Sequence, residues 1–519
     1  MMKMKKLVLI FALMSQQLLL AQQAHNPVIF ADVPDMSMIR VGDTYYMSST
    51  TMHMNPGVPI MKSRDLINWT LVSYAYSRLG DSDELNLAGQ KNAYGHGSWA
   101  SSLRFHEGMY YVSTFSSNTG KTHIYYTKDI EHGPWQVREF QPMMHDHSLF
   151  FDQGKVYMVW GGGRLHIAEL MPDFSGIKAG TQRVLIDNAS LPALARGEKT
   201  AGLPAEGSQL FKINGMYYLF NISWPAGGMR TVIVHRASRL EGPYEGRVVL
   251  QDQGVAQGGL IDMPNGQWYA YLFQDHGAVG RIPFLVPVKW KDGWPVLGVS
   301  GKVPAALDLP ANRSLMPGIV ASDDFSREEG EPALPLVWQW NHNPDSSLWS
   351  LTERKGFLRL KTGQLTDDFL QAKNTLTQRT IGPSCNGTVA IDVTNMKDGD
   401  FAGLSLLQKN YGLLGVRMEG SRRSLIMVNA GSGRPQEVAK IPLNENQLFL
   451  KATCDFVDRK DIARFYYSTN GREWIAIGDE LKMSYTIPHF MGYRFGLFNY
   501  ASKTGGGYVD FDYFHIDTN

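Results

Sequence analysis

The chain has 519 residues, 43% apolar, 11% aromatic and 19% charged, with a formal net charge of +1. That balance excludes an interface built on excess basic charge, so neither nucleic acid nor an anionic membrane surface is an expected partner. Two cysteines exclude a disulfide scaffold, and no Cys/His spacing of zinc-site type occurs.

Residues 1–24 begin MMKMKKLVLIFALMSQQLLLAQQ, with Lys3, Lys5 and Lys6 ahead of an apolar stretch that ends near Ala21. The pattern reads as a secretory signal peptide cleaved around Ala21 or Ala24, which predicts a secreted or periplasmic protein. Gln16 and Gln17 interrupt the apolar stretch, and it is short for a retained anchor, so no membrane insertion is expected after cleavage.

From residue 25 to about 303 one phrase recurs five times: Ser37-MIRVGDTYYM, Ser102-LRFHEGMYYV, Ser148-LFFDQGKVYM, Ser208-QLFKINGMYYLF and Gly259-LIDMPNGQWYAYLF. Each is an apolar run, a tight turn carrying Gly, and a second run of aromatic and β-branched residues, which predicts a β-hairpin. Hairpins repeating at intervals of roughly 45 to 65 residues predict a five-bladed β-propeller, whose inner strands line a central axis. A Pro-rich passage over 304–320 reads as a linker. Over 321–519, short alternating segments such as Gly387-TVAIDVTN and Leu448-FLKATCDF predict a jelly-roll, concanavalin-like β-sandwich. The fold class is therefore all-β. Cys385 and Cys454 fall in strand-like segments, either as one disulfide or as two buried thiols.

The repeats also locate a site. Aligned on the apolar residues Ile39, Leu103, Phe150, Leu210 and Ile261, the position four residues earlier is Asp35, Trp99, Asp146, Glu206 and Gln257. Equal offsets in equivalent strands should point the same way, so three carboxylates, an aromatic and an amide are expected in one funnel. Clustered carboxylates repel and resist desolvation, which makes the grouping costly unless it does chemistry. Glycosidic hydrolysis needs two such groups, one protonated acid and one ionised base, and a third carboxylate beside the acid can raise its pKa. Asp32 lies three residues before Asp35 and is expected to point elsewhere.

Ala31-DVPDMSMIRVGDTYYM, Gly97-SWASSLRFHEGMYY, Asp146-HSLFFDQGKVYMVWG, Ala205-EGSQLFKINGMYYLF and Gly280-RIPFLVPVKW resemble the successive blade motifs of glycoside hydrolase family 43. The second half is similar to the C-terminal domain of that family's two-domain β-xylosidases and arabinofuranosidases, ending in Arg494-FGLFNY and Tyr508-VDFDYFHI. The resemblance implies an exo-acting, inverting hydrolase of plant polysaccharides or oligosaccharides. It implies Asp35 as general base, Glu206 as general acid, Asp146 as pKa modulator and Arg281 as an orienting cation. Trp99 is a candidate sugar platform, with a core role as the alternative. Gln257 stands where many relatives place a His that holds an axial water or metal, and His276 is a candidate to fill that gap. Trp224, His53 and His96 are candidates for shaping the pocket. No cofactor is expected for the chemistry, while Asp512 and, more weakly, Asp324 are candidate ligands of a structural calcium. Phe273-QDHGAVGR and Ala31-DVPD look closest to the arabinofuranosidase-rich branch, so α-L-arabinofuranose is the expected sugar and β-D-xylose the alternative. A sugar-binding propeller without catalysis is the reading from another class.

Overall fold

The computed structural model describes residues 23–194, 199–312, 316–328, 334–487 and 489–518, so most of the signal-like leader lies outside the described residues. Five four-stranded antiparallel sheets form the first half, each with its strands in chain order. Their inner strands are Ser37–Val41 (blade I), Ser102–His106 (II), Ser148–Asp152 (III), Lys199–Ile213 (IV) and Ala256–Asp262 (V). In blades II to IV the hairpin turns Glu107-Gly108, Gln153-Gly154 and Asn214-Gly215 have positive φ at both residues. That backbone matches the right-handed twist of the strands it joins.

A ring of side chains stitches neighbouring blades around the axis. Ser37 Oγ accepts from Leu103 N at 3.0 Å, Ser102 Oγ from Leu149 N at 3.1 Å, and Ser148 Oγ from Leu210 N at 3.0 Å. The Arg104 guanidinium fills the middle, donating to Leu149 O, Ser148 Oγ and Gln209 Oε1. Each hydroxyl satisfies a buried inner-strand N–H that its own blade leaves unpaired.

The expected linker contains a strand, Ala306–Pro310, that pairs with Gln23–His25. The segment entering the propeller and the one leaving it are thereby tied together. Beyond it, sheets of eight and seven strands form the sandwich. One edge of the eight-stranded sheet comes from the propeller: Met54–Asn55 of blade I pairs with Gln339–Asn341. Cys385 and Cys454 stand directly opposite each other on neighbouring strands as buried free thiols.

The two halves share a polar seam. The Asp32 carboxylate accepts from Arg281 N at 2.8 Å and Gly492 N at 3.0 Å, while Arg379 Nε donates to the Asp32 carbonyl. A Cβ at Gly492 would lie 2.2 Å from the Val279 carbonyl oxygen, so only Gly permits this approach. Nearby, His53, His342 and His489 cluster around Tyr94, with His489 stacked on the Tyr94 ring at 4.2 Å.

All three histidines are buried, and burial drives each pKa down, that of His53 to about 3. Charges around them are cationic (Arg494, Lys373, Lys409, with His96 also near) and oppose protonation further. Groups held neutral in the fold and ionising near pH 6.5 when unfolded contribute stability that is fully present above 6.5 and is lost as pH falls. The melting temperature is therefore expected to drop steadily from pH 6.5 towards pH 4, at about 1.4 kcal/mol per pH unit for each group. His53→Gln should flatten part of that slope in a thermal-melt series.

Candidate active site

The hairpin turns give the true register of the funnel. Val41, His106, Asp152 and Ile213 each end an inner strand at a two-residue turn. Six residues before them stand Asp35, Ala100, Asp146 and Gly207, with Gln257 at the corresponding place in blade V. The register read from apolar anchors is thus one residue short in blades II and IV. Leu103 and Leu210 pair one step farther from the turn than Ile39 and Phe150 do, because Arg104 and Phe211 occupy the equivalent positions. Trp99 and Glu206 precede the axial position by one residue, and the residue that precedes it in blade III is His145.

Two tiers follow. In the axial tier, Asp35, Asp146, Gly207 and Gln257 all have left-handed backbone, with φ of 51°, 46°, 67° and 58°. Simple strand alternation therefore does not aim them; a kink at the head of the inner strand does. Non-Gly residues in this region cost about 1–3 kcal/mol each and persist where their surroundings over-determine them. The five axial residues together line a cavity of about 10 Å³, room for roughly one water. A Cβ at Gly207 would lie 2.9 Å from Gln257 Cγ, which explains Gly in blade IV.

Asp35 is buried and doubly held. Arg281 Nη1 lies 3.1 Å from both of its oxygens, and Gln257 Nε2 donates to Oδ1 at 2.8 Å. Burial raises its pKa, and the Arg281 charge opposes that rise. Asp146 Oδ2 accepts from Gly207 N at 3.1 Å. Its pKa is raised to about 7, first by burial and then by the Glu206 charge, with His145 opposing.

The rim tier faces solvent. His145 Nε2 lies 2.8 Å from Glu206 Oε2 and 4.0 Å from Asp146 Oδ2, and its side chain is 47% exposed. Burial of the ring lowers the His145 pKa, but the hydrogen bond to Glu206 and the charges of Asp146 and Glu206 outweigh it and raise it to about 9. Trp99, half-buried, stacks on Phe115.

The sandwich completes the mouth. Phe490, from the segment after the last edge strand, meets Trp99 edge-on at 5.0 Å and lies under the Arg281 guanidinium at 4.5 Å. Tyr485 packs on Phe490 at 6.3 Å. No repeat marks these residues, so the sequence alone gave no ruler for finding them. Phe490→Ala should raise KM about tenfold, roughly 1.4 kcal/mol for one lost aromatic wall, with a smaller change in kcat. Initial-rate kinetics on an aryl pentoside would check it.

The remaining candidates fall in three places. Trp224 is exposed on blade IV, two residues beyond Ile222, which pairs with Glu206. Arg230 lies over its ring at 5.3 Å and pairs with Asp275 at 2.7 Å, and Asp275 is also 3.4 Å from Arg281 Nε. This second arginine was not among the sequence candidates. His276 is not on the axis; Gln274 and the edge of Phe30 hold it, and it does not line the axial cavity. His53 belongs to the domain seam, and His96 bonds Ser117 Oγ at 2.8 Å.

For calcium, the side-chain ligands are sparse. Asp324 accepts from Ser326 N in a local turn, and Asp512 is an exposed residue at a bulge of the last strand. Among the described residues, neither joins a group of three carboxylate, His or Cys ligands. Six to eight oxygens are needed, so an ion there would depend on backbone carbonyls and water.

Comparison with known proteins bears on the chemistry. A family profile described as Glycosyl hydrolases family 43 matches residues 24–295, and one described as Beta xylosidase C-terminal Concanavalin A-like domain matches 322–517. The chain is 29% identical to a beta-xylosidase of Formosa agariphila, covering 95% of this chain and 90% of that one. It is 31% identical to a putative beta-xylosidase of Xylanibacter ruminicola, covering 87% and 82%. A non-reducing end alpha-L-arabinofuranosidase of Bacteroides ovatus is 28% identical over 81% of each chain. Among solved structures, a bifunctional GH43-CE protein of Bacteroides eggerthii superposes with a TM-score of 0.94 at 64% identity. The match covers 96% of this chain but 64% of that one, which is the longer protein.

Proposed function

Because the chain belongs to glycoside hydrolase family 43, we propose that it is an exo-acting, inverting glycosidase releasing terminal pentoses from plant cell-wall polysaccharides or oligosaccharides, β-D-xylosides foremost. The observation that carries this reading is the pairing of two unlike carboxylate environments across one funnel. Asp35 is clamped by Arg281 and Gln257, whose charge and N–H favour its ionised form against the upward pull of burial, as a base that takes a proton from water needs. Asp146 sits beside Glu206 and His145, and burial together with the Glu206 charge raises its pKa to about 7, so Asp146 retains a proton near neutral pH.

In the proposed single displacement, Asp35 deprotonates a water on one face of the sugar, and Glu206 protonates the departing oxygen on the other. Asp146 keeps Glu206 supplied with a proton-retaining neighbour. Inversion requires room for that water, so the working carboxyl groups should stand about 6.5–9.5 Å apart in the substrate complex. Phe490 and Trp99 would wall the terminal sugar, and exposed Trp224 offers a platform beside the acid.

The choice of xyloside rests on the relatives, most of which carry xylosidase names, two of them jointly with arabinosidase. The second reading, α-L-arabinofuranoside, is favoured by the Bacteroides ovatus relative and by the branch-like phrases of the sequence. The Lys-rich apolar leader supports export from the cytoplasm. Release assays on aryl β-D-xyloside and α-L-arabinofuranoside, with NMR of the first-formed anomer, test the proposal. An inverted anomer from the xyloside is expected; a retained anomer, or no release of either pentose, would overturn it.

A further inference from the structure

We infer that His145 is a positioning residue for the acid: from the rim it holds Glu206 by a hydrogen bond and returns to it the proton that each leaving group removes. This rests on the proposed role of Glu206. Three observations support it. His145 and Glu206 occupy the same register position in adjacent blades, so their side chains converge as near-symmetry mates. Nε2 lies 2.8 Å from Oε2, a direct proton path. The imidazole is about half exposed while Glu206 is 17% exposed, so the histidine is the more open of the two to exchange with bulk water.

The charged and titratable groups around the ring are Glu206 of blade IV, Asp35 of blade I, and Asp146 and His147 of its own segment. The Phe115 ring meets it edge-on at 5.5 Å from blade II. Three carboxylates against one imidazole favour the imidazolium in the open funnel. The resting pair is then imidazolium and carboxylate. A sugar filling the mouth expels water and lowers the local dielectric, which disfavours the separated charges and favours neutral imidazole beside a protonated Glu206. The proton crosses from Nε2 to Oε2, then from Oε2 to the glycosidic oxygen as the C–O bond breaks. Neutral His145 takes its replacement from solvent, while the water attacking the sugar gives its proton to Asp35. One proton enters from solvent at His145 and Asp35 releases one to solvent, so charge balances over a turnover.

His145→Gln keeps a donor to Glu206 but carries no transferable proton. With a poor leaving group such as an alkyl xyloside, kcat is expected to fall about 10- to 100-fold. With a dinitrophenyl xyloside, which leaves without protonation, it should change less than about threefold. The alkaline limb of kcat/KM should move to lower pH, because the proton held on the raised His145 ring is no longer available to the acid. A separate readout needs no turnover: NMR titration of the His145 ring in the full chain, in which Glu206→Gln should lower its midpoint by at least one pH unit. An unchanged midpoint, or equal losses on both leaving groups with an unmoved alkaline limb, would overturn the inference. Absence of pentosidase activity in the unmodified protein would count against the proposed function alone, because the titration still decides the coupling.

Discussion

Glu206→Gln is expected to lower kcat on unactivated xylosides by about 10²–10⁴-fold while leaving the fold intact. The amide is isosteric with the carboxyl group and can still meet His145 Nε2 through its oxygen, so the 2.8 Å contact survives. What it cannot do is deliver a proton. Loss should therefore track leaving-group basicity, being largest for alkyl aglycones and small for dinitrophenolate. Sugar binding should persist, and a xylose-dependent rise in melting temperature equal to that of the parent would show the pocket undamaged. Unchanged hydrolysis would show that another group is the acid and overturn the assignment of Glu206.

Asp35→Asn carries the other large effect, and it has two parts. Without a base the attacking water stays neutral, so kcat should fall about 10²–10⁴-fold irrespective of leaving group. That independence separates the base from the acid. The substitution also removes the carboxylate that Arg281 faces from both oxygens, within a site where Arg281 is only 4% exposed. Removing one partner of a buried pair costs about 3–5 kcal/mol when the remaining charge is stranded. Here Asp275 stays 3.4 Å from Arg281 Nε, so a smaller loss, about 2 kcal/mol, is expected in denaturant unfolding. Arg281→Met combined with Asp35→Asn should recover much of that stability and none of the activity.

The five-fold architecture was legible because tight turns and aromatic strands repeat in the chain itself. The repeats also brought Asp35, Asp146, Glu206 and Gln257 to notice together. Their arrangement into two tiers was not legible from apolar anchors, since Arg104 sits where other blades place Ile or Phe. Counting back from Glu107-Gly108 and Asn214-Gly215 instead would have assigned Glu206 to the rim and exposed His145 as its counterpart. Phe490 and Tyr485 lay beyond any such count. They reach the funnel through the Asp32–Gly492 seam, a contact 460 residues apart in sequence. The short strand Met54–Asn55 was equally hidden, because two residues carry no periodicity.

That short strand has a practical bearing on how the protein can be dissected. Cutting the chain after residue 303 would bare the edges of Met54–Asn55, uncover the blade I surface around His53, and remove the Phe490 wall together with the strap at Ala306–Pro310. The excised propeller should be recovered poorly, because unsatisfied strand edges invite self-association. Grafting a foreign sandwich in its place would demand matching that two-residue graft point as well as the glycine at 492. Modularity visible at the level of architecture is, in this molecule, not separability.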